Sequence, residues 1–211
     1  MESQVRGGTR WRRFAVVMVP SVAATAAIGV ALAQGALAAS FSVSGQSFKV
    51  SADQLVGYDF IQYGSMDAGT DLKGNKTENP VAVSGFSSAT ITNMCQSVVT
   101  PNVPVFGSIS LELRAGTDAD KPVRATNIYI DIAQLKADAE FSKIDIGVAA
   151  GDKSNKTGIN PGDRANPNGF AQRAEKVTLT KVEQTAWATT AGTFTLNNLS
   201  LKLHKGTKEC Y

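Results

Sequence analysis

The sequence predicts an all-β protein, folded as an antiparallel sandwich or an open barrel. After residue 40, apolar side chains recur at every second position over most of the chain, the pattern of strands with one buried face. Short runs of turn-forming residues separate these segments, and only 133–140 and 184–190 have a composition that suits short helices. An elongated, curved sheet with an apolar groove is the alternative architecture.

The first 38 residues have the layout of an export signal. Four arginines precede an uncharged run from Phe14 to Ala39, which ends in the small-residue pattern Ala36-Leu37-Ala38. The run approaches the ~20 residues of a spanning helix, so an N-terminal membrane anchor is the alternative to cleavage after Ala38. In both cases residues 39–211 are exported, and lie outside the cell or on the outer face of the cytoplasmic membrane.

The exported part carries no net charge. Residues 1–38 hold four of the 21 basic and one of the 18 acidic residues, which leaves 17 of each kind in residues 39–211. A strong basic field is therefore absent, and we expect no nucleic-acid partner. Residues 39–211 suffice for one β-rich domain with a sizeable core, and no linker divides them.

Both cysteines, Cys95 and Cys210, lie in the exported part, where disulfides persist. We expect them to pair; two free or metal-binding thiols are the alternative, but no other His or Cys lies near enough in the sequence to complete a metal site. For a loop of this length, the chain-entropy model gives a stabilisation of the folded state of roughly 4.7 kcal/mol, as an upper figure. The bond would hold the C-terminal end against the middle of the chain.

Strands are predicted in chain order wherever the period of two is clear: 41–50, 55–63, 81–83, 89–92, 95–99, 109–113, 123–132, 141–146, 177–182 and 193–203. Pro101 and Pro104 interrupt the pairing, because proline cannot donate a ladder hydrogen bond. Residues 67–80 and 151–169 are predicted as polar loops. We expect the second to be exposed and mobile.

The sequence contains little catalytic chemistry. His204 is the only histidine, and it alternates with Leu201 and Leu203, which places its ring on the polar face of a strand as a solvated side chain. A serine hydrolase of the G-x-S-x-G type is not indicated, since that pentapeptide does not occur. We therefore predict no catalytic residue and no cofactor.

Binding sites are equally sparse. Residues 67–71 and 152–163 carry oxygen ligands of the kind that calcium prefers, but neither has the spacing of a calcium loop, so both are predicted as turns and no metal site is expected. Trp187 is expected in the core or in a lid. Its alternative role is to line a site for an apolar ligand.

Residues 89–98, 185–194 and the final Glu-Cys-Tyr, together with Arg12-Arg13-Phe14 and Gln62-Tyr63-Gly64, resemble an uncharacterised actinobacterial family of exported β-rich proteins. The resemblance covers nearly the whole chain. Members of that family are often labelled "cholesterol esterase" by automated transfer, and the domain has no assigned function. The label implies a serine nucleophile on an elbow motif.

Two functions follow as hypotheses. The first is a non-enzymatic cell-envelope protein that binds a lipid or another apolar ligand, or that serves purely in envelope assembly; the N-terminal segment would add a membrane contact if it is not cleaved. The second is a lipid or sterol esterase, as the family label implies, in which any histidine base must be His204. The oligomeric state stays open.

Overall fold

A computed structural model describes residues 43–152, 154 and 156–211, and its regular structure is entirely β, as predicted. The strands are β1 (Val43–Ser44), β2 (Phe48–Thr70), β3 (Lys76–Thr92), β4 (Met94–Val103), β5 (Gly107–Ala115), β6 (Val123–Ala149), β7 (Phe170–Thr190), β8 (Thr193–Thr195) and β9 (Ser200–Lys205). No helix suited to crossing a membrane occurs in these residues. The predicted export signal, residues 1–38, lies outside them and stays a prediction.

Four long strands close into a barrel. β2 pairs antiparallel with β3 on one edge and with β7 on the other, and β6 pairs with both β3 and β7. Each of the four strands is therefore hydrogen-bonded on two sides where the barrel closes, while β6 beyond Ile132 continues as a ladder with β7 alone. The prediction of a barrel is confirmed, and the barrel is closed rather than open.

An apolar core fills this barrel. The ring centroid of Phe60 lies 5.4 Å from that of Phe86 and 5.5 Å from that of Phe141. Gly57 makes room for this cluster, because a Cβ at that position would collide with the Phe86 ring. The cavity left beside these rings measures about 30 Å³, close to the volume of one molecule of liquid water. The interior is thus a packed core.

Three further strands, β4, β5 and β9, form a sheet that branches from the start of β2; we call it the wing. β4 pairs with Lys49, Val50 and Ser51 of β2, β5 pairs with β4, and β9 pairs with β5. The outer edge of β9 pairs with no described strand.

Residues 206–211, the tail, cross the polar face of the wing and are fixed to it. Cys210 forms the predicted disulfide with Cys95 of β4. The Ser110 hydroxyl donates to the Gly206 carbonyl at 2.7 Å and accepts from the Lys208 amide at 2.8 Å. A covalent bond and buried hydrogen bonds therefore hold the tail in place.

Several expectations for local structure are wrong. Residues 133–140 and 184–190 belong to β6 and β7, which pair with each other along most of their length. Their alanine-rich composition suits a helix, but the ladder between β6 and β7 outweighs this local preference. The loop expected at 67–80 shrinks to a turn at 71–75, because β2 and β3 continue as a hairpin on both sides of it.

The expected interruption near Pro101 is present as a register shift between Thr100 and Val103.

Gly57→Ala should lower the free energy of unfolding by about 1–3 kcal/mol, because the added methyl group overpacks the barrel against Phe86. Gly64→Ala on the same strand is the control, since no atom lies within 4 Å of its added Cβ; its effect should stay within about 0.5 kcal/mol. Urea unfolding followed by circular dichroism measures both. Equal effects at the two positions would show that the barrel is not tightly packed at Gly57.

The disulfide joins residues 115 positions apart, so Cys95→Ala with Cys210→Ala should lower the free energy of unfolding by about 2–4 kcal/mol. Urea unfolding of the oxidised protein and of the double variant gives the difference. An unchanged free energy would mean that the hydrogen bonds of the tail suffice to hold it.

Candidate functional site

The wing has an apolar face on the side away from the tail. Pairing places Leu111 between Val98 and Leu203, and Leu113 beside Leu201. We call this surface the leucine face, formed by Val98, Ile109, Leu111, Leu113, Leu201 and Leu203. Leu201 and Leu203 are 56% and 70% exposed. Adjoining leucines with this exposure form an apolar patch on the surface of the wing.

The turn between β4 and β5 extends this apolar surface. Val105 is 96% exposed and Phe106 is 58% exposed. Val105 has a φ of 72°, in the left-handed region that β-branched residues rarely adopt. Ile109, at one end of the leucine face, follows this turn closely in β5. Strained backbone that displays an apolar side chain to water points to a functional contact.

One basic residue, Lys205, borders the leucine face, and no acidic residue belongs to it. Lys205 lies on the same side of β9 as Leu203, while Lys202 lies on the other side, and both are exposed. Within the described residues neither lysine forms an ion pair. Glu112 lies on the tail side, where Arg114, 2.6 Å away, holds the pKa of its carboxyl below the ordinary value.

The tail side of the wing brings the only histidine close to a serine and a glutamate. His204 pairs in register with Ser110, and its Nε2 lies 3.2 Å from Glu112 Oε2. Ser110, however, is fully buried, and its hydroxyl is engaged by backbone groups of the tail. A nucleophile must reach its substrate, so these three residues do not form a working triad. His204 is half-buried, contrary to the expectation of a solvated ring.

Residues 156–169, the covering loop, fold over the outer face of the barrel. The Tyr63 hydroxyl donates to Asp163 Oδ2 at 2.6 Å and accepts from the Asn160 amide at 2.8 Å. The Tyr129 hydroxyl donates to the Gly158 carbonyl at 3.3 Å. The predicted loop is present between β6 and β7 and is exposed in part, while its side chains Ile159 and Ala165 pack against a second core cluster on this face.

Three carboxyl groups meet beneath the covering loop: Asp67, Asp131 and Asp163, which we call the carboxyl cluster. Burial, followed by the charge of Asp163, raises the pKa of Asp67 to about 6. Burial, followed by the charge of Asp67, raises the pKa of Asp131 to about 7. Within the described residues none of the three pairs with a basic side chain. With these raised pKa values, Asp67 and Asp131 retain protons at a pH where carboxyl groups are usually ionised.

Trp187 lies at the margin of the second core cluster, half-buried on β7. It follows Ala186, which lines the barrel core, so its side chain is directed to the outer face. The structure thus places Trp187 away from the interior cavity. Its role in an apolar ligand site stays a prediction.

A family model described as a family of unknown function matches residues 44–211. The chain belongs to the DUF6230 family. No curated protein and no solved structure matches the chain. The resemblance to an uncharacterised family is therefore confirmed, while an actinobacterial origin and the esterase label stay predictions.

The sequence alone indicates neither the leucine face nor the carboxyl cluster of this DUF6230 protein. Leu201 and Leu203 were expected to face one way, but nothing local shows that this side is uncovered. Asp131 alternates with Ile130 and Ile132 in the sequence, which indicates the polar side of a strand, but the charge of Asp163 that acts on it comes from the distant covering loop. Asp67 and Asp163 lie in two segments that were each noted for oxygen ligands, and only the fold brings them together.

The free energy of unfolding should fall as the pH rises from about 4 to about 8. The pKa values of Asp67 and Asp131 are higher in the folded state than in the unfolded chain, so their stabilising protons are lost as the pH passes the folded values. The other ionisable groups that face them are Asp163, Tyr63 and Tyr129; burial raises the pKa of both tyrosines, which stay protonated.

Asp131→Asn should reduce this pH dependence, because it removes one of the two titrating groups. Asp138→Asn, an exposed position on the same strand, should leave it unchanged. Urea unfolding at pH 5 and pH 8 measures the slope for each protein. A slope that survives both Asp131→Asn and Asp67→Asn would contradict the assignment.

Proposed function

We propose that this protein is a non-enzymatic, exported cell-envelope protein that binds anionic membrane surfaces through the leucine face. The observation that carries the proposal is the exposed row of Leu201 and Leu203, continued by the Val105–Phe106 turn and free of acidic side chains. Full removal of each such side chain from water contributes roughly 1.5–3 kcal/mol to binding. Lys205, on the same side of β9 as these leucines, adds about 1 kcal/mol near an anionic surface.

Lipid contact at the surface suits this fold better than lipid carried inside it. The barrel cavity of about 30 Å³ is far below the roughly 300–1,000 Å³ of pockets that enclose small-molecule ligands. An acyl chain would need the packed phenylalanines to move apart. The leucine face offers apolar contact without any such rearrangement.

Two observations support the other parts of the proposal. The Cys95–Cys210 disulfide suits an oxidising, exported environment, and the predicted N-terminal signal or anchor would deliver the domain to the membrane. The buried hydroxyl of Ser110 favours a non-enzymatic role over the esterase, because the serine beside the only histidine is out of reach of a substrate.

Binding to vesicles of phosphatidylcholine and phosphatidylglycerol tests the proposal, with residues 39–211 used so that no N-terminal anchor contributes. Val105→Ser with Phe106→Ser, and separately Leu201→Ser with Leu203→Ser, should each weaken binding at least about tenfold, because the apolar contact is lost. Ile146→Ser is the control, since this side chain is 67% exposed on β6 of the barrel. Equal losses in all three proteins would contradict a specific contact.

The charge of the membrane and of the wing gives a second readout from the same vesicles. Lys205→Gln should weaken binding about fivefold and reduce its salt dependence, whereas Lys202→Gln, on the tail side of the same strand, should change it little. Sedimentation without lipid tests whether a second copy of the chain occupies the leucine face. A dimer that Leu201→Ser with Leu203→Ser dissociates would show that the leucine face binds a second copy instead.

A further inference from the structure

We infer that a polar cavity on the outer face of the barrel binds a neutral saccharide, which stacks on Tyr58 and donates hydrogen bonds to Asp59. The cavity measures about 680 Å³, within the roughly 300–1,000 Å³ of small-molecule sites. Its lining includes Tyr58 and Asp59 of β2, Ser87 and Ser88 of β3, Glu175 of β7, and Lys156. None of these residues belongs to the wing, so the site is separate from the leucine face and does not depend on the proposed function.

The strand ladders are interrupted where the cavity lies. β2 pairs with β3 as far as Tyr58 and again from Ile61, and its ladder with β7 skips Asp59 in the same way. Asp59 has a φ of 50°, a left-handed conformation that aspartate adopts more readily than most residues. Consecutive side chains of a regular strand point to opposite faces, whereas here Tyr58 and Asp59 both line the cavity. Irregular pairing that redirects side chains in this way is frequent beside functional sites.

The carboxylate of Asp59 is held in place at the cavity. Its Oδ2 accepts a hydrogen bond from the Ser87 hydroxyl at 2.6 Å and lies 3.7 Å from the Nζ of Lys156. The side chain is 20% exposed. A carboxylate has about four lone-pair sites, so this one retains the capacity to accept from a ligand hydroxyl. Hydrogen bonds from a hydroxyl to an ionised carboxylate are about twice as strong as those between neutral groups.

The charges around the cavity offset one another. Lys156 lies beside Asp59, and the Nζ of Lys143 lies 2.8 Å from Oε1 of Glu175. A strongly anionic or cationic ligand therefore meets no complementary field. The lining offers both donors and acceptors, which suits ligand hydroxyl groups, because each of them can donate and accept. An uncharged, polyhydroxylated ligand matches these groups.

Tyr58 supplies an aromatic surface for the same ligand. It is 47% exposed, and the lining residues around it are serines, carboxylates and a lysine. A pyranose ring has apolar C–H groups on one face and hydroxyls around its rim. Its apolar face can cover the tyrosine ring while the rim hydroxyls reach Asp59. An acyl chain would also cover the ring, but it would leave the polar lining without hydrogen-bond partners.

NMR titration of residues 39–211, which contain every described strand, tests the inference with maltotriose, mannotriose and galactotriose. We expect at least one of them to bind with a Kd of about 1 mM or below. Tyr58→Ala should weaken that binding about tenfold, because the ring contact is lost, and Tyr58→Phe should retain most of it. Asp59→Asn should weaken it about fivefold, because the charge-assisted hydrogen bonds are lost. Asparagine also tolerates the left-handed backbone at this position, so this variant keeps the fold.

Tyr211→Ala and Asp138→Asn are the matched controls, since both side chains are exposed and lie outside this cavity. Neither change should alter the Kd, and neither should added NaCl, because the ligand carries no charge. Three results would overturn the inference: no binding of any of the three saccharides up to about 10 mM, an equal loss in Tyr211→Ala, or binding of inorganic phosphate in their place. Vesicle binding through the leucine face is measured separately, so a failure of either idea leaves the other standing.

Discussion

Pairing of β2 along both of its edges is the constraint on which the rest of the structure depends. It joins β3 to β7 and so closes a barrel of only four strands, whose narrow interior must be filled by its own side chains. Gly57 and Phe86 are adapted to that narrowness. Any binding surface must then lie outside the barrel, as the leucine face does.

The two sides of the wing show how the chain distributes its polar groups. The side with Ser97, Ser110 and Glu112 is covered by the tail, which the disulfide fixes and which gives hydrogen bonds to the buried hydroxyls. The opposite side carries leucines and has no such cover among the described residues. A sheet of three strands with one uncovered apolar face is stable here because the barrel and the tail support it, and this leaves the leucine face available for a partner.

Local patterns predicted the β class, most strands and the disulfide, since a period of two and a pair of exported cysteines are visible in the sequence. The short helix predicted at 133–140 is wrong. The composition of this segment favours a helix, but its structure is set by pairing with β7 far along the chain. Barrel closure and the meeting of Asp67 with Asp131 also depend on such distant pairings. A sequence shows that Asp131 lies on the polar side of a strand; it does not show which segment covers that side.

The unpaired edge of β9 has a consequence for the behaviour of the protein in water. A free strand edge with exposed leucines is a template for edge-to-edge aggregation, and lysines on an edge strand oppose that process by mutual repulsion. Lys202 and Lys205 lie on this edge strand. Lys205, which would attract the leucine face to an anionic bilayer, therefore also helps to keep dissolved copies from polymerising, so colloidal stability and membrane affinity share this charge.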